Sequence, residues 1–353
     1  MLGQAAPYRP ARDPTEEGWL GRTMSTPTTL DPPSGTADLP KVPLERTGRP
    51  RPRSNTWRRA LRRDWQLYSL VVLPLLFFLI FRYLPMVGNV IAFRRYLPGG
   101  NLFGEQWVGL YYFRLFLDDP SFWRAFTNTL ILGGLSMAFL FPMPLILALL
   151  LNEVRTRVLK RFVQTISYLP HFLSIVVVAG IIFQVFSVDG VVNQAVRAVG
   201  NDSIPFLQQA GWFRTIYLSS EMWQTVGWGT ILYLAALTTI DPNLYEAARI
   251  DGANRWRQTW HVTLPGIRPT IVTLLILNTG MFLAVGFEKI LLIYNPLTYE
   301  TADVIATYLY RIGVQNGFFS YAAAIGMFEA VIGVTLVFTV NAIARRTVGT
   351  SLW

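Results

Sequence analysis

The sequence predicts an all-α polytopic membrane protein with six transmembrane helices. Three observations predict it. Hydrophobic residues make up 52% of the chain and aromatic residues 14%. The apolar residues gather into runs of about twenty, the length that crosses a hydrocarbon core. Arginines cluster beside alternate runs, as they do on the cytoplasmic side of membrane proteins. Length alone, 353 residues, suits two soluble domains, but runs of this kind make the lipid bilayer the relevant solvent.

In chain order, residues 1–56 are rich in Pro, Thr, Gly and Arg and lack a sustained apolar period. Such a composition cannot bury enough surface to fold, so a disordered cytoplasmic tail is expected. No apolar core of a signal peptide precedes Leu67, so the first run is expected to remain uncleaved. The spans are expected near residues 67–93, 125–151, 166–186, 219–240, 269–293 and 321–344. This divides the chain into the tail, a first helix and outer loop over 57–124, a membrane core over 125–344 with a loop at 241–269, and a C-terminal tail over 345–353.

Arginines give the orientation. Arg58, Arg59, Arg62 and Arg63 precede the first span, and Arg155, Arg157, Lys160 and Arg161 follow the second. Arg249, Arg255, Arg257 and Arg268 follow the fourth, and Arg345 and Arg346 the sixth. These sides, and both termini, are expected to be cytoplasmic; Arg94, Arg95, Arg114 and Arg124 in the first outer loop weaken the asymmetry without reversing it. The opposite loops carry Trp107, Tyr111, Tyr112, Phe122, Trp123 and Trp212, residues suited to the headgroup region. Pro142 and Pro144, inside the second span, are expected to bend it or to need a partner for a freed carbonyl.

The formal charge of +10 comes mainly from arginine, with lysine only at 41, 160 and 289. Because these charges flank the apolar runs, they read as membrane topology and not as a nucleic-acid surface. With no cysteine, disulfides, thiolate nucleophiles and thiolate metal sites are excluded. His171 and His261 stand apart without a metal-binding spacing, and no catalytic constellation or cofactor motif is evident. No Gly-x-x-x-x-Gly-Lys-Ser/Thr segment is present either, so no phosphate-cradling loop is expected.

Between the fourth and fifth spans runs IDPNLYEAARIDGANRWRQTWHVTLPGIRP. Asp241 suits an N-cap and Pro242 the first helical position, whose N–H would be unbonded anyway. Gly252 permits the positive φ that ends many helices. A second short helix is expected from about Asn254 to Thr263, with Leu264 and Pro265 stopping it and Pro269 opening the fifth span. The result is a helix, a glycine turn and a helix, with Ala247, Ala248 and Ala253 keeping the corner small enough to enter a partner's groove.

Glu246, Ala247, Ala248, then Asp251, Gly252, Ala253, then Leu264, Pro265 and Pro269 form a pattern that resembles the EAA loop of binding-protein-dependent ABC transporter permeases. Thr259 stands where that pattern has a bulky aromatic, with Trp256 and Trp260 nearby, and Val262 replaces isoleucine. The segments TNTL, SYLPHFLS and YNPLTYETADVIATYLYR are similar to carbohydrate permeases of the polysaccharide type. The resemblance implies a type I ABC importer transmembrane fold in a bacterial cytoplasmic membrane, a coupling loop docked on an ABC ATPase dimer, a second homologous permease, an extracellular or periplasmic solute-binding protein, and a sugar or oligosaccharide as cargo.

An importer for amino acids, peptides or ions, an intramembrane enzyme and a receptor are the competing readings. Gln224, Asn278 and Glu329 are candidate pathway-lining groups, because polar side chains in spans are costly; hydrogen bonding between helices is the plainer role. Glu288 and Lys289 are expected near the outer surface, paired or snorkelling.

Overall fold

A computed structural model describes residues 64–101 and 103–348. The chain divides into two units, Met1–Trp65 and Gln66–Trp353. The expected tail at 1–56 lies outside the described residues, as do residues 349–353.

The described chain is almost wholly helical. Five helices are long and apolar enough to cross a membrane: Trp65–Phe93, Pro120–Glu153, Ile175–Ala198, Arg255–Gly280 and Phe319–Arg346. A further helix, Ala210–Leu237, has 28 residues, about 42 Å at 1.5 Å per residue, enough to cross as well. It falls short only in apolarity, because it carries Arg214, Glu221 and a row of other polar side chains. Among the described residues there is one short departure from an all-α chain: Arg94–Arg95 pairs antiparallel with Gln106–Trp107 and closes a hairpin.

Several expected boundaries are corrected. The third span starts at Ile175 and not near 166, because the Ser174 hydroxyl caps it by accepting from the Val177 N–H at 3.3 Å. Residues Arg157–Tyr168 form a separate amphipathic helix before it. The fourth helix begins at Ala210, upstream of the expected 219. The fifth span does not open at Pro269: its helix is continuous from Arg255 and ends at Gly280, and Phe287–Ile293 is a separate short helix. The sixth runs on through Arg345 and Arg346 to Val348, so residues 345–348 are helical.

The prolines explain why the helices continue. Pro85, Pro142 and Pro265 each stand two residues beyond a π-helical turn, at Leu79–Tyr83, Ser136–Leu140 and Thr259–Thr263 respectively. Proline lacks an N–H, and its ring clashes with the carbonyl four residues earlier. In the wider turn the preceding amide reaches back five residues, as Phe141 N–H does to the Ser136 carbonyl at 3.2 Å. The crowded carbonyl is moved aside and the helix goes on, so Leu264 and Pro265 do not stop it.

Ala210–Leu237 is the central helix. Phe213, Tyr217, Ser220, Gln224, Gly227, Thr230 and Tyr233 are buried at intervals of three or four residues, which places them on one face. That face packs against Pro142–Glu153 and Arg157–Tyr168. The approach is closest at Gly227, where a Cβ would lie 2.0 Å from the Ser167 carbonyl oxygen. Around it, Leu132, Val178, Phe213, Ile216 and Ile290 form one apolar cluster, and Ala148, Tyr233, Leu237 and Ile267 another. The most apolar stretch of Trp65–Phe93, by contrast, has no buried side chain.

Gly227→Ala is therefore expected to force the two helices apart and destabilise the protein by about 1–3 kcal/mol. Thermal unfolding in detergent should show a lowered midpoint. Gly180→Ala, where nothing lies within 4 Å of the new methyl, should leave it unchanged.

Candidate functional site

The Glu246–Pro269 segment folds as a capped corner followed by a long helix. The Asp241 carboxylate accepts from the Asn243 N–H at 2.9 Å and starts the helix Pro242–Ile250. At its end the Gly252 N–H donates to the Arg249 carbonyl at 3.0 Å and the Ala253 N–H to the Ala248 carbonyl at 2.9 Å. These are the paired bonds of a Schellman turn, and Gly252 has the φ of +76° that the turn needs. Asn254 caps the next helix by accepting from the Arg257 N–H at 2.9 Å.

Two side-chain contacts fix the corner to the rest of the chain. The Tyr245 and Thr263 hydroxyls lie 3.0 Å apart, and Arg255 donates to Glu153, at the end of the second span, at 2.9 Å. Glu246, Ala247, Asp251 and Gly252 are exposed, while Ala248 and Ala253 are half-buried. Ile250 is 86% exposed, Trp256 79% and Trp260 66%, so the corner presents apolar side chains that none of the described residues covers. Leu264, Pro265 and Pro269 lie in the continuous helix behind it.

A cavity of about 380 Å³ lies among the second span, the His171 turn, the central helix and the break after Gly280. His171 stacks flat on Trp228, ring centres 4.5 Å apart, at its wall. Asn278 lines this cavity and donates to the Leu274 carbonyl at 2.8 Å. Gln224 is buried beside it, 3.5 Å from the Leu173 carbonyl, without lining it. Glu329 lines a different groove, against Gly280, Ala284 and Gly333. The three candidates therefore do not converge on one site.

Two cavity features escape a reading of single spans. Glu221 lines the cavity and pairs with Lys289, whose side chain is 1% exposed. Lys289 is thus paired, as expected, but buried and not at a surface, whereas Glu288 is exposed. The available signal was the carboxylate inside the fourth apolar run, on the same helical face as Tyr217 and Thr225. The backbone break also lines the cavity, with Met281, Phe282 and Gly286 in its wall. Unwound backbone at such depth is tolerated where it faces a cavity or buried protein.

At the far ends of the helices the remaining motifs acquire partners. The Asn128 amide of TNTL donates to the carbonyls of Glu300 and Asp303 at 2.9 and 3.1 Å, and the Thr129 hydroxyl accepts from the Ile305 N–H at 2.9 Å. Asp303 is fully buried in a two-armed pair with Arg311, at 3.0 and 2.5 Å. Asp119, which caps the second span, accepts from the Tyr308 and Tyr321 hydroxyls at 2.5 and 3.1 Å. Burial alone would raise its pKa, but the bonds from Tyr308, Ser121 and Tyr321 outweigh burial and hold it below the ordinary value. Among the described residues no group of three or more His, Cys, Asp or Glu side chains is placed to hold a metal ion.

These helices, the broken fifth span and the capped corner define an all-α, multi-pass membrane protein with the type I ABC importer transmembrane fold. Residues 140–349 match the family described as binding-protein-dependent transport system inner membrane component, and the chain belongs to that family, as a transport subunit and not itself an enzyme. The protein LplB of Bacillus subtilis (strain 168) is 49% identical over 292 residues, covering 82% of this chain and 92% of that one. The polygalacturonan/rhamnogalacturonan transport system permease protein YteP of the same organism is 45% identical over 281 residues, covering 79% and 88%. Among solved structures, a bacterial ABC transporter involved in the import of the acidic polysaccharide alginate matches with a TM-score of 0.78 and 45% identity, over 83% of this chain and 99% of that one. The alginate transporter in complex with an alginate pentasaccharide-bound periplasmic protein gives 0.79 and 45%, over 85% and 100%.

The lowered pKa of Asp119 gives a signed expectation. Its folded value lies below its unfolded one, so its stabilisation is complete above the unfolded pKa and is lost as pH falls through the folded pKa. Asp119→Asn keeps a good N-cap but removes the charge. The variant should melt below the wild type at neutral pH, and the gap should close on acidification below about pH 4. A gap independent of pH would show that the charge does not carry the effect.

Proposed function

We propose that this chain is the pathway-forming permease subunit of an ATP-driven importer for a saccharide. The observation that carries the reading is the relationship, over about four fifths of the chain, to permeases whose own names specify polysaccharide transport. The segments that tie the far-end loop together, TNTL and YNPLTYETADVIATYLYR, are among those similar to carbohydrate permeases. Its partners are a second permease, an ABC ATPase dimer and a solute-binding protein outside the membrane.

The corner from Glu246 to Ala253 docks on the ATPase from the cytoplasm, the side on which flanking arginines also place both termini. The chain has no Walker-type loop of its own, so the energy comes from the partner. ATP-driven closure of the ATPase pair moves the docked corner, and rocking of the spans opens the pathway to one face and then the other. Exposed Ile250 and Trp256 supply the apolar contact, and the Schellman turn holds the corner in shape without it. Asn278 faces the pathway. Gln224 and Glu329 act between helices.

Gly252→Val should abolish uptake while leaving insertion in the membrane intact, because a β-branched residue resists a φ of +76°. ATP hydrolysis by the reconstituted complex would then no longer respond to cargo-loaded binding protein. Asp251→Arg should reduce ATPase recovered with the tagged permease. Full uptake and full recovery in both variants would exclude the corner as the docking element.

A further inference from the structure

Resting on the saccharide reading, we infer that Glu221 is a specificity-determining residue that favours uncharged sugar units over uronates in the cavity. Its partner Lys289 is 1% exposed, while the Glu221 side chain remains 24% exposed and lines the cavity. The ammonium group is thus buried behind the wall, and Glu221, the less buried partner, is the member of the pair that lines the space. Among the described residues no arginine or lysine lines that cavity. The nearby polar groups are neutral hydroxyls and amides, including Thr225, Tyr233 and Asn278, and the His171–Trp228 stack stands at the wall.

This is a surface for hydroxyl-rich, uncharged rings. Sugar hydroxyls donate to a carboxylate in charge-assisted bonds, stronger than neutral ones, and aromatic faces cover the apolar faces of the rings. A uronate would instead bring a second carboxylate towards Glu221 in a space with reduced solvent screening, where like charges repel. Lys289 lets Glu221 be held at the wall without burying a net charge, since a partly buried ion survives when it is paired. The alginate importer carries an acidic polysaccharide. The charge that this chain shows to its cavity has the same sign as such a cargo.

The test uses the complete complex of both permeases, ATPase and binding protein in proteoliposomes, with tetragalacturonate and its methyl ester as probes of equal length that differ in charge. ATP-dependent uptake of the ester should exceed that of the free acid by at least about tenfold, or about 1.4 kcal/mol. Glu221→Lys combined with Lys289→Glu keeps an ion pair and reverses the charge at the wall, so the preference should reverse or vanish. If the swap does not assemble, Glu221→Gln with Lys289→Met removes both charges and should erase the preference. Equal uptake of acid and ester by the wild type, or a preference unchanged in the variant, overturns this inference alone. A complex that carries no saccharide at all, while moving a different solute, overturns the saccharide reading and this inference with it.

Discussion

The contact on which the rest of the structure depends is the close approach of the central helix to its neighbours. Within a bilayer, apolar surface gains little by meeting other apolar surface, since lipid is as apolar as leucine. Helices must then be held by contact distance and by polar partners. Gly227 lets the Ala210–Leu237 helix meet the backbone at Ser167, and the same helix carries Glu221 to Lys289 and Arg214 to Asn128 at 2.9 Å. Without that approach the cavity wall, the ion pair and the far-end network would lose their common support.

A second constraint is the cost of proline in a helix that cannot turn to water for a hydrogen bond. The chain meets it in the same way before Pro85, Pro142 and Pro265, by widening one turn. In each case the amide before the proline finds a carbonyl five residues back, and the helix goes on past it. Pro170 is treated differently: it is buried in the short turn Leu169–Phe172, and the helix restarts only at the Ser174 cap. SYLPHFLS is thus a kink, a stacking histidine and a cap in eight letters.

Much of this was legible in the sequence. Long apolar runs mark their helices because no water-soluble fold needs them, and the corner could be read down to its first cap, Asp241, and its turn residue Gly252, whereas Asn254, expected to open the second helix, caps it. What misled was punctuation. Leu264 and Pro265 read as a stop because proline breaks helices in water, whereas a π-turn carries this helix past them. The start of the fourth helix is expected late because Arg214 dilutes the apolarity of its first turns, although that side chain finds a partner inside the protein. The Glu221–Lys289 pair joins residues 68 positions apart, and only the packed helices bring them together. The three polar candidates of the spans scattered for the same reason: a polar residue in an apolar run announces a need for a partner, and not which cavity it faces.

The uninterrupted helix Arg255–Gly280 has a mechanical meaning. One end is pinned beside the exposed corner through Arg255 and Thr263, and the other end delivers Met281 and Phe282 to the cavity wall. Its 26 residues make a rod of about 39 Å at 1.5 Å per residue. A tilt of about 5° around its midpoint would shift each tip by roughly 1.7 Å in opposite senses, given that rise. Tilted in this way the rod would act as a lever, and the stroke at the cavity would be set by where along its length neighbouring helices grip it.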